Sequence, residues 1–403
     1  MAVRIQILTH SYSPEHSPPQ RRWMQFNRHF RSLGWDVDVI APVAHAPYGR
    51  RTLPKREAGR PFRWDTGLFG ERILRVPYLW HRTTRLGRLL DHCFSAVASV
   101  VAGGLLARRP DVVVVTVPSL PVLGAGYAVS RLRRVPLVVD MRDAWPDIAR
   151  DARIVRGSAK SMTERAVSTF QRKADLVVTV TEGFAKTLRT RGLQNVATVV
   201  NGVDTSVREL LPPPPERRDK LNVLYLGNHG ESQHLDRVIR AAALARDHVR
   251  LTMVGHGVRR RELMALALEL DAPVSFHGPA RRREVMEFYR NADTCVVSLR
   301  DDWKSFETTI PSKTYEVLAV GRHVTGIVRG EARLIIEESG GGDVVASDAE
   351  SIAQLWQELH ADRSRLLAGT SGRDWVHQHA NLDALSTAYA ALLQNVVLRR
   401  REQ

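Results

Sequence analysis

Cysteine is scarce in this chain. Only Cys93 and Cys295 occur among 403 residues, and they lie far apart in the sequence. This excludes a disulfide scaffold and suits a reducing cytoplasm. Residues 3–8 have the pattern of a strand, not of a signal peptide. Because the length exceeds that of one typical domain, we expect two domains.

Long apolar runs are missing as well. The most apolar stretch, residues 93–107, is shorter than the roughly 20 residues that a membrane span needs. It predicts a buried helix instead.

The formal net charge of +16 would suit nucleic acid, an anionic membrane surface or a phosphate-bearing substrate. However, we find no zinc finger, RNA-recognition signature or aromatic-basic repeat, so we expect no nucleic-acid partner. The arginines stand in short clusters, which are typical of solvated faces.

Motifs for cofactors and catalytic metals are lacking too. No Gly-x-Gly-x-x-Gly follows the first strand, which argues against a dehydrogenase. The Asp36-Val37-Asp38 segment flanks a strand residue, and no histidine pair has metal-ligand spacing within a helix. We therefore expect neither a metal nor a cofactor.

Strand and helix patterns alternate in both halves of the chain, which predicts an α/β fold with two Rossmann-like parallel-sheet domains facing across a cleft. Prolines 212–215 cannot continue a helix or a central strand, so they predict a stiff linker. The predicted organisation is an N-terminal domain, a linker, a C-terminal domain and a final helix that packs back on the first domain, at residues 1–210, 211–220, 221–377 and 378–403. The predicted strands are 5–8, 37–40, 111–117, 137–140, 176–180, 197–200, 223–226, 250–254, 274–276, 294–298 and 324–327.

The segment 310–324 carries the clearest chemical signal. Pro311 precedes Ser312, which can cap a helix that Gly321 ends. A helix start offers free amides to a phosphate, and Lys313 adds a positive charge. Glu316, one turn later, offers two acceptor oxygens that suit sugar hydroxyls. A capped surface helix without a ligand is the alternative.

Six short motifs occur in the order found in the family 4 glycosyltransferases, which the chain resembles over nearly its whole length. They are Leu33-Gly34-Trp35-Asp36-Val37, Asn201-Gly202-Val203-Asp204, Tyr225-Leu226-Gly227-Asn228, Val254-Gly255-His256-Gly257, Val274-Ser275-Phe276-His277-Gly278-Pro279 and the helix around Glu316. The resemblance implies a GT-B fold and retaining transfer, independent of metal, from a nucleotide-diphosphate sugar, with UDP the most frequent nucleotide. The first domain would bind the acceptor and the second the donor.

One branch is most similar: the enzymes that build O-antigen, capsule and colanic-acid-like polysaccharides. It shares Asp140-Met141-Arg142-Asp143-Ala144-Trp145-Pro146, Gly227-Asn228 and Pro311-Ser312-Lys313. The acceptor implied is a saccharide or a lipid-diphosphate-linked saccharide of surface polysaccharide biosynthesis.

The resemblance also assigns donor contacts. Glu316 would bind the ribose, and the backbone from Phe276 to Pro279, including Gly278, would bind the base. The chain departs from the family at Thr308, where a glutamate near the donor sugar is usual. It also departs at Asn228 and Gln233, where the family has an arginine and a lysine for the diphosphate. The diphosphate would then depend on the positive charges of Lys313 and Arg300 and on the helix start at Ser312.

Acceptor contacts are expected in loops that follow strands of the first domain. His10, Glu15 and Arg21 belong to one such loop, for which a solvated proline-rich turn is the alternative. Arg142 and Asp143 follow another strand, and Asp143 is a candidate to accept sugar hydroxyls. A structural Arg142–Asp143 ion pair is the alternative there. Together with Lys313 and Glu316, Asp143 is a predicted catalytic residue.

Residues 80–88 mix aromatic and basic side chains, which predicts contact with an anionic inner membrane from the cytoplasmic side. A surface loop is the alternative.

Two other functions also stay open: a sugar-nucleotide epimerase on a similar fold, and a non-catalytic nucleotide-sugar binder.

Overall fold

The computed structural model describes residues 2–402 except 16–17, 46–48, 52, 83, 118, 145–146, 152–157, 206–208, 281 and 368–369. The chain divides into two compact units. The N-terminal unit contains Met1–Val200 and Asp383–Gln403, and the C-terminal unit contains Asn201–Leu382.

The N-terminal unit is built on an eight-stranded sheet with the order β3-β4-β2-β1-β5-β6-β7-β8. All neighbours pair in parallel except β3, which runs antiparallel to β4 at the edge. The strands are β1 (Arg4–Leu8), β2 (Asp36–Pro42), β3 (Trp64–Thr66), β4 (Arg72–Val76), β5 (Val112–Val117), β6 (Leu137–Met141), β7 (Leu176–Thr179) and β8 (Val196–Thr198).

Helices cover both faces of this sheet, as parallel strands require. Every residue of β5 and β6 is buried, which explains their continuous apolar sequences. The helices of the unit are α1 (Pro18–Ser32), α2 (Lys55–Ala58), α3 (Arg85–Val101), α4 (Leu120–Arg133), α5 (Asp147–Asp151), α6 (Ser158–Lys173), α7 (Glu182–Thr190) and α15 (Leu382–Arg401, which begins at the unit boundary).

The C-terminal unit contains a six-stranded, fully parallel sheet with the order β11-β10-β9-β12-β13-β14. Its strands are β9 (Leu221–Leu226), β10 (Val249–Val254), β11 (Val274–His277), β12 (Thr294–Ser298), β13 (His323–Ile327) and β14 (Gly342–Val344). Its helices are α8 (Leu235–Leu244), α9 (Arg260–Glu269), α10 (Arg282–Asn291), α11 (Ser312–Ala319), α12 (Gly330–Glu338), α13 (Ala349–Ala361) and α14 (Ser371–His379).

The predicted fold class of two parallel-sheet α/β domains is confirmed, and each predicted strand has a counterpart. The sequence reading missed β3, β4 and β14. The first and last of these have only three residues and lie at sheet edges, where little burial marks the sequence.

The prediction of a buried helix at 93–107 is wrong in its bounds and its burial. Helix α3 begins earlier, at Arg85, and continues through a π-helical turn at Ala102–Leu106. Its polar residues Asp91, Ser95 and Ser99 are buried, whereas much of its apolar surface is exposed. Among the described residues, the segment Leu86–Leu106 is long and apolar enough to cross a membrane by length and composition, with less than half of it buried.

The proline-rich segment predicted as a linker lies along the C-terminal unit. The Leu211 amide donates to the Val320 carbonyl at 3.1 Å. Arg322 donates to the Pro212 carbonyl at 2.8 Å, and Arg363 donates to the Pro215 carbonyl at 2.9 Å. The division between units falls before it, after Val200.

Helix α15 packs within the N-terminal unit. Tyr389 is fully buried against Trp23, Phe26 and Phe30 of α1. Its hydroxyl donates to Asp140 at the end of the sheet, at 3.1 Å. The last helix therefore completes the core of the unit in which the chain begins.

Candidate active site

The strand order of the C-terminal unit reverses between β9 and β12, which are adjacent in the sheet but distant in sequence. In open parallel sheets, ligands bind at the carboxyl ends of the strands at such a switch point. Gly227 follows β9 directly, and Arg300 lies just beyond β12. Two residues that the sequence predicted for the donor therefore lie at this point.

Lys313, in the first turn of α11, reaches back to the same point. Its Nζ lies 3.9 Å from the centroid of the Tyr225 ring. The Nζ occupies the space that a Cβ on Gly227 would take, so the end of the lysine side chain packs directly against this glycine. Burial lowers the pKa of Lys313 to about 7, although the nearby Glu316 charge opposes the shift. A cation that is easily discharged therefore lies where β9 ends.

The start of α11 differs from the prediction in its cap. Pro311 occupies the N-cap position, no side chain caps the helix, and Ser312 is its exposed first residue. The expected Ser312 cap is therefore wrong, because the helix begins one residue earlier than a capping serine requires. Gly321 has φ +71° just beyond the C-cap, as predicted for a helix end. The Thr314 amide donates to the Pro311 carbonyl at 2.9 Å, and among the described residues the Ser312 and Lys313 amides have no such acceptor, so these two can face an anion.

Glu316 lies one turn after Ser312 on α11 and is half-buried. The hydroxyl of Tyr289 lies 3.5 Å from its Oε2. Glu316 follows Lys313 by three residues on the same helix. A carboxylate that can accept hydrogen bonds from hydroxyls therefore lies close to a cation that can bind a phosphate.

Two glycine loops meet at this edge of the sheet. The Gly227 amide donates to the Val254 carbonyl at 2.9 Å, and the His229 amide donates to the His256 carbonyl at 2.8 Å. A Cβ on Gly255, whose φ is +137°, would collide with the Gly227 carbonyl. This close approach explains why both motifs contain glycine at these positions.

The remaining residues considered for the diphosphate and the donor sugar either have partners within the protein or are exposed. The Arg300 guanidinium is bidentate with Asp302, at 2.8 and 2.6 Å, and lies over Trp303. Asn228 is exposed. Gln233 accepts a hydrogen bond from the Gly230 amide at 3.2 Å, so it holds the loop. Thr308 ends a short 3-10 helix, Lys304–Thr308, where its hydroxyl donates to the Ser305 carbonyl.

Phe276 and Gly278, predicted beside the base, lie at the carboxyl end of the edge strand β11. Phe276 is half-buried and lies 6.3 Å from the His229 ring, measured between centroids. A cavity of about 360 Å³ is lined by His277, Gly278 and Phe288 among others, and Phe276 is not part of its lining. Space around Gly278 is open.

In the N-terminal unit, the loop after β1 holds its polar residues firmly. Glu15 is buried and accepts hydrogen bonds from Ser11 Oγ and the His45 amide, both at 2.6 Å. His10 Nε2 lies 3.4 Å from Asp91 Oδ2, and its ring contacts His92. Arg21 is exposed. Of the three predicted residues, Glu15 thus stabilises the loop through its own hydrogen bonds.

Arg142 and Asp143 directly follow β6. Among the described residues they form no ion pair within hydrogen-bonding distance, and buried Arg142 Nε has no hydrogen-bond partner. Burial raises the pKa of Asp143, and the Arg142 charge opposes this. These groups are therefore available to a ligand. Trp145 and Pro146, the end of the motif, lie outside the described residues.

Sequence reasoning missed the tyrosines of the donor site. Tyr225 lies under Lys313 and donates from its hydroxyl to the Asn228 carbonyl at 2.7 Å. Tyr289 contacts Glu316 from α10. Tyr225 precedes Gly227 by two residues, and this spacing places both on one face of the strand. The spacing could have indicated Tyr225, but it is equally typical of an ordinary core residue.

Two family models match the chain. "Glycosyl transferase 4-like domain" matches residues 19–203, and "Glycosyl transferases group 1" matches residues 220–362. No curated protein matches the sequence.

Solved structures share the fold at low identity. Sucrose-phosphate synthase from Thermosynechococcus elongatus is 17% identical with a TM-score of 0.75, covering 98% of this chain and 100% of that one. Anabaena HepE in complex with UDP-glucose is 14% identical with a TM-score of 0.71 and the same coverage. WaaG, a glycosyltransferase involved in lipopolysaccharide biosynthesis, is 16% identical with a TM-score of 0.67, covering 96% and 99%.

One family match covers most of the N-terminal unit and the other most of the C-terminal unit, and the fold is that of the GT-B glycosyltransferases. The chain therefore belongs to the glycosyltransferases that join a 4-like domain to a group 1 domain.

Proposed function

We propose that the protein transfers a sugar, with retention and without a metal in the transfer step, from a UDP-sugar to a saccharide or lipid-diphosphate-linked saccharide of a surface polysaccharide. The observation that carries this proposal is the placement of Lys313 against Gly227 at the switch point of the C-terminal sheet. Since Glu316 lies one turn away, a diphosphate and a ribose would find their partners on the same helix.

The relatives support the donor class. Anabaena HepE was crystallised with UDP-glucose and with UDP, and WaaG acts in lipopolysaccharide biosynthesis. In this chain, the cavity lined by His277 and Gly278 has room for a base at the carboxyl end of the same sheet.

Lys313 and the first amides of α11 would stabilise the departing diphosphate. Cleavage of the sugar–phosphate bond builds negative charge on the leaving group, and fixed donors favour that charge without proton transfer. Lys313, with its pKa of about 7, would take up a proton as the diphosphate binds and would then carry a full charge.

The acceptor would bind in the N-terminal unit, beside His10, Arg142 and Asp143. Among the described residues, the buried Arg142 Nε is a donor without an acceptor, and the Asp143 carboxyl lies next to it in sequence after β6. This pair suits sugar hydroxyls, and the positive charge of Arg142 suits a phosphate of a lipid-linked acceptor.

A donor survey tests the function. We expect UDP-sugars to bind more tightly than GDP-, ADP- and TDP-sugars, and UDP release to require an added acceptor. Calorimetry and a coupled assay for free UDP measure these two results. Epimerisation of the sugar without acceptor would support the epimerase, and tight binding without any turnover across a panel of acceptors would support the non-catalytic binder.

We also propose that the protein works at the cytoplasmic face of an anionic membrane, through an apolar stripe on α3. The stripe consists of Leu86, Leu90, Val97, Val101 and Leu105, which are 41–68% exposed and are spaced by four or seven residues. Arginines are exposed at both ends of the helix, at Arg82, Arg88 and Arg108. An apolar face framed by cations is typical of helices that lie in the plane of a bilayer.

Replacing Leu90 and Val97 with glutamate is expected to reduce binding to phosphatidylglycerol vesicles at least roughly tenfold, because two charges would enter the acyl boundary. Co-sedimentation with vesicles measures the change. Leu268→Glu is the control, since Leu268 is 83% exposed on α9 of the other unit. Equal sedimentation of the double variant and the control would contradict the proposal. A double variant that changes its oligomeric state but binds vesicles as wild type does would contradict it too.

A further inference from the structure

A cluster of histidines surrounds one buried carboxylate in the N-terminal unit. His45 follows β2, His81 follows β4, and Asp91 lies in the second turn of α3. All three side chains are buried, with exposures of 2%, 9% and 0%. His45 Nε2 lies 2.8 Å from Asp91 Oδ2, and His81 Nε2 lies 3.8 Å from the same oxygen.

The hydrogen bonds of the two rings define which nitrogen carries a proton. His45 Nδ1 lies 2.8 Å from the Val43 carbonyl, and His81 Nδ1 lies 3.0 Å from the Arg82 carbonyl. Because a carbonyl only accepts, each Nδ1 must donate. With a cation between them, each ring would present the lone pair of Nε2, and three acceptors would converge on one point. Without a cation, His45 Nε2 must carry a proton and donate it to Asp91 Oδ2 at 2.8 Å.

The carboxylate is held in this orientation by its other oxygen. Asp91 Oδ1 accepts from the Leu79 amide at 2.8 Å and from Ser95 Oγ at 3.3 Å. Histidines that bind a metal usually donate the other ring N–H to a carbonyl or carboxylate, and carboxylates that bind a metal are themselves hydrogen-bonded. The groups around these three side chains therefore match the outer shell of a metal site.

The spacing suits a small divalent ion. Two ligands about 2.1 Å from a tetrahedral ion lie roughly 3.4 Å apart. The two Nε2-to-oxygen distances of 2.8 and 3.8 Å bracket this value. The possible ligand atoms of the three residues all lie within 4.8 Å of one another. His10 Nε2 also lies near the cluster, 3.4 Å from the same oxygen.

We propose that His45, His81 and Asp91 bind one divalent transition-metal ion, with Zn²⁺ the best match to imidazole and carboxylate ligands. The ion would join the segments after β2 and β4 to α3 and would hold the loop that carries His10. It lies in the N-terminal unit and takes no part in the metal-independent transfer step, so the proposed function does not depend on it.

The full-length protein, freed of any affinity tag and of metal, is titrated with Zn²⁺ and with Co²⁺. We expect one equivalent to bind, the melting temperature to rise, and Co²⁺ to give the visible spectrum of a four-coordinate nitrogen–oxygen site. His81→Gln should weaken Zn²⁺ binding by more than the roughly 100-fold that loss of an outer-shell partner costs. His45→Gln provides a second variant should His81→Gln fail to fold.

His379→Gln is the matched control, because His379 is exposed on α14. It should leave the stoichiometry and the Co²⁺ spectrum unchanged. Failure of the folded wild-type protein to bind Zn²⁺ or Co²⁺ at micromolar concentrations would overturn the proposal. The same stoichiometry in wild type and in both cluster variants would overturn it too. In either case, an imidazolium–carboxylate pair of His45 and Asp91 would account for the geometry.

Discussion

Replacing Lys313 with alanine is expected to weaken the binding of UDP-glucose roughly 100-fold, which corresponds to about 3 kcal/mol. The loss is large because Lys313 is the cation packed at the end of β9, while Arg300 is already bidentate with Asp302. Calorimetric titration at pH 7 measures the change. Lys220→Ala is the control, since Lys220 lies at the amino end of β9 and donates to the Arg246 carbonyl.

The pH dependence separates a direct contact from a structural effect. Lys313 has a free-state pKa of about 7, and a bound diphosphate would raise it. The wild-type affinity is therefore greatest below pH 7 and falls as the pH rises above it, with proton uptake visible in buffers of different ionisation enthalpy. UDP-glucose itself has no titrating phosphate in this range. Lys313→Arg keeps its charge, so its affinity should stay flat between pH 7 and 9. Proton uptake in Lys313→Arg equal to that of wild type would remove Lys313 from the donor site.

Replacing Asp140 with alanine is expected to destabilise the N-terminal unit by about 3–5 kcal/mol. Asp140 is fully buried, and its Oδ2 accepts from Arg22 at 3.2 Å and from Tyr389 at 3.1 Å. Its loss would take the carboxylate partner away from the buried Arg22 guanidinium, which also donates to the carbonyls of Val199 and Val200. Urea unfolding and hydrogen exchange of α15 measure the effect.

Asp36→Ala provides the comparison. Asp36 pairs with Arg4 in the same unit, but the two side chains are 53% and 34% exposed. An exposed pair contributes about 0–1 kcal/mol, so this variant should behave nearly as wild type. If Asp140→Ala unfolds at the same urea concentration as Asp36→Ala, the buried pair does not hold α1, β6 and α15 together.

Local patterns predicted much of this molecule. The apolar runs of β5 and β6 are buried on both faces, which is why their sequences identify them as central parallel strands. Helix α11 was predicted from Pro311 and Gly321, because the signals that begin and end a helix lie within a few residues of it. Lys313 and Glu316 then follow from their positions on that helix.

Contacts between distant segments were not predictable in the same way. Nothing near His45 or His81 indicates that Asp91 lies between them, since their meeting depends on the positions of β2, β4 and α3. Similarly, nothing near Arg22 in the sequence indicates that it is buried with Asp140, since this depends on how α1 and α15 pack. The exposed face of α3 was misread because apolar composition does not distinguish a core from a surface stripe.

The packing of Tyr389 on α1 has a consequence for biosynthesis. During translation, the first 200 residues leave the ribosome long before α15 is made, and the whole C-terminal unit emerges in between. Throughout that interval, the aromatic face of Trp23, Phe26 and Phe30 has no cover from Tyr389. The unit that begins synthesis first is thus the last to be finished. If synthesis stops within α15, the nascent chain has an uncovered aromatic surface, which makes it a substrate for chaperones.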